Sequence, residues 1–483
     1  MLKGYEAVIG LEVHAQLLSN AKMFCKDPAV YGAEPNTLVS PISLGHPGTL
    51  PVVNRTCIEH AIKIGLATSC SIRPLNYFAR KNYFYPDLPK GYQISQDKTP
   101  ICFEGVVNII LKDNTRKSIG ITRIHIEEDS GKSIHDQDVF NTLIDLNRAG
   151  TGLIEIVSEP DIRNSEEAMA YLTEVRKLVR HLEICDGNME EGSLRCDANI
   201  SVSKAGSGKW GTKVEVKNMN SISNVGRAIN FEIERQINLL EEGQKVIQQT
   251  RTWDSSKGTT LAMRDKESSH DYRYFPEPDI LPLHITKQEI DLIQAQLPEL
   301  PEKMLERFME ILGLPYADAF LLAEQKALAA YFSSVLNVTN EPKPTANWIL
   351  GPVKAYLNEH AIDIREFKLL PEKLAKLILL VQSKKVSLTV AREKLFDLLI
   401  AFPESDPETL AGENRLLLED DSDKLVLIGN RIIEQFPDKV AAYKSGKTGL
   451  LGFFVGKLMQ ETGGTSDPKQ VNAVMTELLN ISK

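Results

Sequence analysis

The chain predicts an α+β fold, and three observations carry that prediction. Short β-branched runs separated by Gly, Pro and Asn fill residues 1 to about 290. Only two helical stretches interrupt them, so the regular strand–helix alternation of a doubly wound sheet is missing. Near residue 290 the composition changes: Leu297-Pro298-Glu299-Leu300-Pro301 leads into amphipathic helical patterns, and the β-rich signature does not return. At 483 residues the chain exceeds the size at which one hydrophobic core usually stops growing, so two or three domains are expected.

Each element has its own warrant. Residues 7–13, 105–111, 121–126 and 153–157 are apolar or alternating runs of strand length. Residues 165–182 carry apolar side chains at helical spacing behind the box Ser165-Glu166-Glu167-Ala168, and residues 223–240 form the second helix. Helical character, as in residues 304–309, runs to about Ala401. There Phe402-Pro403-Glu404-Ser405-Asp406-Pro407 reads as a linker into a small helical module over roughly 410–483.

The 42% hydrophobic and 25% charged fractions fit an ordinary globular protein and exclude a disordered chain or a disulfide-rich scaffold. No apolar run approaches the roughly 20 residues needed to span a bilayer. Glu6 and Glu12 come too early for a signal peptide. Six scattered cysteines without a close CxxC pair point to a reducing compartment, so a cytoplasmic protein without membrane association is expected. A net charge of -9 gives no whole-surface attraction for nucleic acid, yet it leaves room for a local basic patch.

Several segments carry groups with chemical potential. In Leu11-Glu12-Val13-His14, residues i and i+2 of a strand share one face. Glu12 and His14 then suit a divalent metal, or a histidine with its tautomer set by a carboxylate; a surface pair at a strand end is the plainer reading. Further on, Ile124, Ile126 and Glu128 point one way while His125 and Glu127 point the other. Glu128 is therefore expected to continue an apolar face into a cleft, against the alternative of a solvated acidic turn. Glu155 stands inside the apolar run 153–157, where a carboxylate is costly unless paired or metal-bound. Gly150 and Gly152 suit an unusual turn or the close approach of a phosphate.

Arg195, Asp197 and Asn199 alternate onto one face, with Arg195 suited to phosphate and the other two to metal, ribose or backbone. Lys213, Lys217, Asn218 and Asn220 add polar groups downstream, and a structural hydrogen-bond network is the competing reading. In residues 77–92, Arg80, Lys81 and Lys90 lie among aromatic rings, which suits phosphates and a stacked base as well as core packing. In the tail, Lys439, Lys444, Lys447, Lys457, Lys469 and Lys483 outnumber the acids, a modest footprint for an RNA backbone. Gly463-Gly464-Thr465 supplies a loop before Asp467-Pro468, the expected start of the last helix. There is no G-x-S-x-G elbow and no Cys/His pair in a nucleophile's context. The residues alone reach metal-dependent phosphate chemistry, with RNA as one candidate substrate.

Taken in order, VIGLEVHAQL, KNYFYPDLPKGYQISQ, HIEEDSGKS, DLNRAGTGLIEIVSEPDI, MEEGSLRCDANIS, KNMNS, DYRYFPEPDILPL, GLLGFFVGKLMQETGG and DPKQVN add a further signal. The series resembles the B-subunit family of the glutamyl/aspartyl-tRNA amidotransferases over essentially the full length. The resemblance implies a β-rich cradle holding the kinase and transamidation centre (1–293), a helical domain (294–405) and a tRNA-binding tail (406–483). It implies ATP and magnesium, an acyl-phosphate intermediate on the misacylated residue, and ammonia released from glutamine and delivered through a tunnel. It also implies two partners in a heterotrimer: an amidase-type glutaminase as the A-subunit, together with a small C-subunit that wraps the other two. On the family's pattern Glu12, His14, Glu128 and Glu155 gather around magnesium, and one of them is a candidate for guiding or deprotonating ammonium. Arg195, Asp197, Asn199 and Lys217 rank behind them as ligand-binding positions.

Three departures from that pattern stand out. Where many members carry a zinc-type cysteine set, this chain has Cys25 with Asp27, Ser40 and Ser43, so no structural zinc is expected and packing should hold the loop. Gly152 replaces a usual proline, and Pro352 stands where an acid is common. Two other functions compete: a non-catalytic tRNA-binding scaffold, and a free-standing ATP-dependent ligase for another phosphorylated substrate.

Overall fold

Alternation along the first strand, β1 (Tyr5–Gln16), makes the sheet one-sided. Ala7, Ile9, Leu11, Val13 and Ala15 are buried, whereas Glu6, Glu12, His14 and Gln16 are only half-buried. In the computed structural model, residues 4–263, 272–418, 422–463, 466 and 468–481 are described. They divide into two compact units, Met1–Leu300 and Pro301–Lys483. Asp271, Gly464, Thr465, Asp467 and Lys483 lie outside the described residues, together with the expectations placed on them.

The first unit is built on β1 and eight further strands of one sheet. They are β2 (Ser71–Ile72), β3 (Cys102–Ile110), β4 (Arg116–Glu128), β5 (Gly152–Ser158), β6 (Leu194–Lys204), β7 (Val214–Met219), β8 (Thr250–Asp254) and β9 (Thr259–Ala262). Among the described residues their order is β9-β8-β7-β6-β1-β5-β4-β3-β2. Every pairing is antiparallel except β7 with β8. The β-branched runs expected as strands fall in β1, β3, β4 and β5, so α+β is the observed class.

Three helices cover the apolar face: α1 (Arg55–Ala67), α2 (Ser165–His181) and α3 (Ile222–Glu241). Ile58, Tyr171, Val175 and Ile229 meet Ile9 and Leu11 of β1 in a single core. The α2 cap sits one residue before the expected box. Asn164, in extended backbone, accepts a hydrogen bond from the Glu167 N–H, which leaves Ser165 inside the helix. A small sheet of Ala79–Asn82, Tyr92–Ser95 and Phe275–Pro276 adds the polar groups described below.

The second unit is helical throughout its described residues. Phe308 and Phe332 stack edge to face in its first part, and Pro352 is accommodated in the π-helical turn Ile349–Val353. After the 402–406 turn, Asp406 caps Pro407–Glu413 by accepting from the Glu408 and Thr409 N–H groups. The tail has a core of its own, in which Leu425 and Ile432 pack with Phe454, Leu458, Val471 and Met475. No described helix is long and apolar enough to cross a membrane.

Candidate active site

The sheet's uncovered face carries its polar side chains in cross-strand rows. One row runs His125 (β4), Glu155 (β5), His14 (β1), Arg195 (β6); the next runs Arg123, Val157, Glu12, Asp197. Asn199 lies opposite Glu215 in a third. Residues directly opposite on neighbouring strands have Cβ atoms about 5 Å apart, so the register alone brings these groups together. The small sheet and the 272–274 segment add Lys81, Tyr83, Gln93, Tyr272 and Tyr274. The resulting cleft has a volume of ≈ 660 Å³, within the usual range for a ligand site.

Glu155 is the hub of the first row. Its Oε2 lies 3.2 Å from His14 Nε2 and 3.3 Å from His125 Nε2, while Glu127 stands 3.8 Å from each ring. Burial works against a charge on Glu155, but hydrogen bonds from both imidazoles outweigh it and hold the carboxyl well below its usual range. Burial also opposes charge on His125, yet Glu127 and Glu155 raise its pKa to about 9. His14 moves up for the same balance of reasons. Ligand atoms of His14, Glu127 and Glu155 lie close enough together to hold one metal ion.

A second group, Glu12, Asp197 and Glu215, meets the same condition. Asn199 Nδ2 donates to Glu12 at 2.8 Å, and Lys217 Nζ donates to Asp197 at 2.5 Å beside Glu215 at 2.9 Å. Desolvation, reinforced by Glu155, raises the Glu12 pKa, and Asn199 and Lys217 only partly offset it. Arg195 Nη2 donates to the buried Asp129 at 2.8 Å, and Gln16 donates to the same oxygen at 2.7 Å. Asp129 thus fixes the guanidinium at the cleft edge.

Glu128 is not in this group. The pleat turns it away from the cleft, where its carboxylate accepts from Lys90 Nζ and from the Ile94 N–H at 2.9 Å. It lines a separate cavity of ≈ 70 Å³ with Phe24, Cys25 and His46. The alternation expected along this strand holds, but the expected face does not: the side continuing Ile124 and Ile126 faces the core, and the cleft lies on the side of Arg123, His125 and Glu127. The matching alternation of Glu12 and His14 was the signal that could have found Glu127. Glu215, Asp129 and the tyrosine pair Tyr272 and Tyr274 were missed because nothing local marks them.

Other expectations change as well. Arg80 is committed to Glu277 and Asp279 and lies over the Tyr92 ring, and Lys90 to Glu128, so of the three basic residues in 77–92 only Lys81 lines the cleft. Asn218 lines it too, whereas Asn220 accepts from Asn224 at the start of α3. Gly150 adopts φ +85°, a turn conformation, and a Cβ on Gly152 would lie 2.7 Å from Cys57 Sγ. These two glycines therefore serve the turn and the packing on α1. The loop around Cys25 is not held by packing alone: Ser43 Oγ donates to Asp27 at 2.6 Å and accepts from the Ser40 N–H at 3.0 Å.

Residues 7–291 match the GatB/GatE catalytic domain, and residues 330–479 match the GatB domain. The B-subunit of the aspartyl/glutamyl-tRNA(Asn/Gln) amidotransferase of Pelodictyon phaeoclathratiforme is 48% identical across 98% of this chain and 99% of its own. Its counterpart from Thermodesulfovibrio yellowstonii is 46% identical over the same shares, 98% and 99%. That of Thermosynechococcus vestitus is 47% identical across 99% of this chain and 97% of its own. With a catalytic-domain match over more than half its length and relatives aligned end to end, the chain belongs to the B-subunit family of the aspartyl/glutamyl-tRNA(Asn/Gln) amidotransferases.

Proposed function

We propose that this chain provides the activation and transfer centre for ATP-dependent amidation of misacylated Glu-tRNA(Gln), Asp-tRNA(Asn) or both. It would act in the cytoplasm, in a heterotrimer with the glutaminase and the small wrapping protein. The observation that carries the reading is the convergence, in one cleft, of two metal-competent groups with Lys81, Arg195 and Lys217. A side-chain carboxylate oxygen attacks the γ-phosphorus of ATP and ADP leaves; ammonia then attacks the acyl carbon and phosphate leaves. A free carboxylate is a poor acyl donor, which is why activation must come first.

The donor sets, carboxylate oxygens with one imidazole and no thiolate, suit a hard divalent cation such as magnesium. Bound there, magnesium would offset phosphoryl charge and polarise the activated carbonyl. Glu12, Asp197 and Glu215 would hold one ion, and His14, Glu127 and Glu155 another. Asn199 orients Glu12, while Arg195 and Lys217 supply cations toward the nucleotide. Glu128, beside Lys90 at the second cavity, is assigned to receiving ammonium. The tail, 406–483, is assigned to the tRNA body, with its exposed lysines against the backbone. A non-catalytic scaffold would have no use for a buried array of two histidines and two acids, which is costly to keep without a task.

The test is amidation of purified Glu-tRNA(Gln) and Asp-tRNA(Asn) by the complete complex with magnesium, ATP and glutamine. Conversion of at least one tRNA, lost on Glu155→Gln, is the expected result. No conversion of either would overturn the reading and favour a ligase for another substrate.

A further inference from the structure

Gln96 is absent from every role described so far, yet its side chain is buried and held in place at the cleft. It is 3% exposed and lines the cleft. Its Oε1 accepts from two backbone N–H groups, Ile101 at 3.2 Å and Ile126 at 3.0 Å. An amide whose oxygen is held by two N–H donors can present only its nitrogen outward, so the orientation is fixed. That nitrogen is buried and has no hydrogen-bond partner among the described residues. Buried donors are rarely left unmet, and one that is unmet at a ligand site marks a bond completed by something else.

Its surroundings say what that something is. Lys81 also lines the cleft; its ammonium lies 5.0 Å from the Tyr272 ring and 5.9 Å from Tyr83, and it has no ion pair among the described residues. Arg123, on the same face of β4 as His125 and Glu127, likewise makes no hydrogen bond or ion pair there. The cleft thus holds acids suited to cations and, beside them, three donor groups without a hydrogen-bond acceptor among the described residues; Glu127 and Glu155 act on Lys81 through space only. Donors without acceptors call for an anionic oxygen, and a neutral ring or a metal ion would leave them unmet.

We infer that Gln96, with Lys81 and Arg123, forms a receptor for an anionic substrate oxygen and that the Gln96 amide N–H sets its selectivity. The inference rests on the proposed amidation. The anionic oxygen belongs either to the side-chain carboxylate of the misacylated residue or to a phosphoryl group of ATP, which share this chemistry.

The test uses the complete heterotrimer and Gln96→Glu, a substitution that keeps an oxygen for Ile101 and Ile126 and puts a second, anionic acceptor in the place of the donor. Lys81→Met is run beside it, so that a folding defect in the first variant leaves the second to decide. Steady-state amidation is measured twice, varying misacylated tRNA at saturating ATP and then ATP at saturating tRNA. A rise in KM of tenfold or more for tRNA alone identifies the carboxylate as the ligand; the same rise for ATP alone identifies the phosphoryl group. Either supports the receptor. KM values within twofold of wild type in both variants would overturn it, as would a fall in kcat alone, since a purely structural residue would behave that way. Failure of the wild-type complex to amidate either tRNA would instead overturn the function on which the inference rests.

Discussion

Glu127 and Glu128 are adjacent in the chain and both are buried, but they face opposite sides of β4. Glu127 faces two imidazoles and a second carboxylate across a cleft large enough for a substrate. Glu128 is locked to one lysine and one backbone amide beside a cavity about a tenth that size. Burial and residue type are the same, so neither distinguishes the two. The surroundings do: Glu127 lies beside His14 of β1 and His125 of β4, and Glu128 answers to Lys90 and the Ile94 N–H of the small sheet. For a carboxylate on a one-sided sheet, the face decides which groups it can act with.

The largest effect that would break this contrast comes from the hub of the cleft. Glu155→Gln removes the shared partner of both histidines, and amidation should fall by about a thousandfold or more, as when a group acting on developing charge is lost. A fall of less than tenfold would dissolve the difference between the two faces. Glu127→Gln should lower amidation by about a hundredfold with glutamine or ammonium as nitrogen source, measured side by side.

Glu128→Gln sharpens the comparison from the other side. It leaves the half-buried Lys90 without its anion, which should cost about 3 kcal/mol in a denaturant titration. Equal stability to wild type would show that the pair is not the anchor its geometry suggests.

A smaller effect concerns pH. The folded His125 pKa, raised from 6.5 to about 9, means that its protonated form is favoured by the fold. That contribution is complete below the unfolded value and is lost as pH rises through the folded one. Metal-free protein should therefore lose stability between those pH values, and His125→Asn should flatten the slope. The smallest effect is in the tail. Lys444→Ala with Lys447→Ala should leave ammonium-dependent chemistry at saturating tRNA intact. The same pair should reduce the salt dependence of tRNA binding, by about 0.7–0.9 in log–log slope for each phosphate no longer neutralised.

How much of this was legible in the sequence follows from the range of the forces involved. The strands of β1, β3, β4 and β5 and the helices α2 and α3 are written in local periodicity, and they were found. Glu12, His14 and Glu155, which line the cleft, stood out because a polar residue in an apolar strand run is conspicuous by itself. The choice between Glu127 and Glu128 was not local. It depends on which face of β4 is turned to helix α1 and the core, a fact settled by strands and helices distant in sequence. Arg80 and Lys90 looked available for phosphate for the same reason, since Glu277 and Glu128 lie far along the chain. Gln96 carries no signal at all in its own neighbourhood; only the pairing of β4 exposes its free donor.

The most direct measurement is ADP formation from ATP, dependent on misacylated tRNA, by the complete complex carrying Glu127→Gln or Glu128→Gln, with glutamine withheld. Activation then proceeds without nitrogen delivery, so the two faces are read separately. If the cleft is the activation centre, Glu127→Gln loses this ADP formation by about a hundredfold while Glu128→Gln stays within about threefold of wild type. Full activity in Glu127→Gln together with its loss in Glu128→Gln would place activation on the other face of β4 and contradict the assignment.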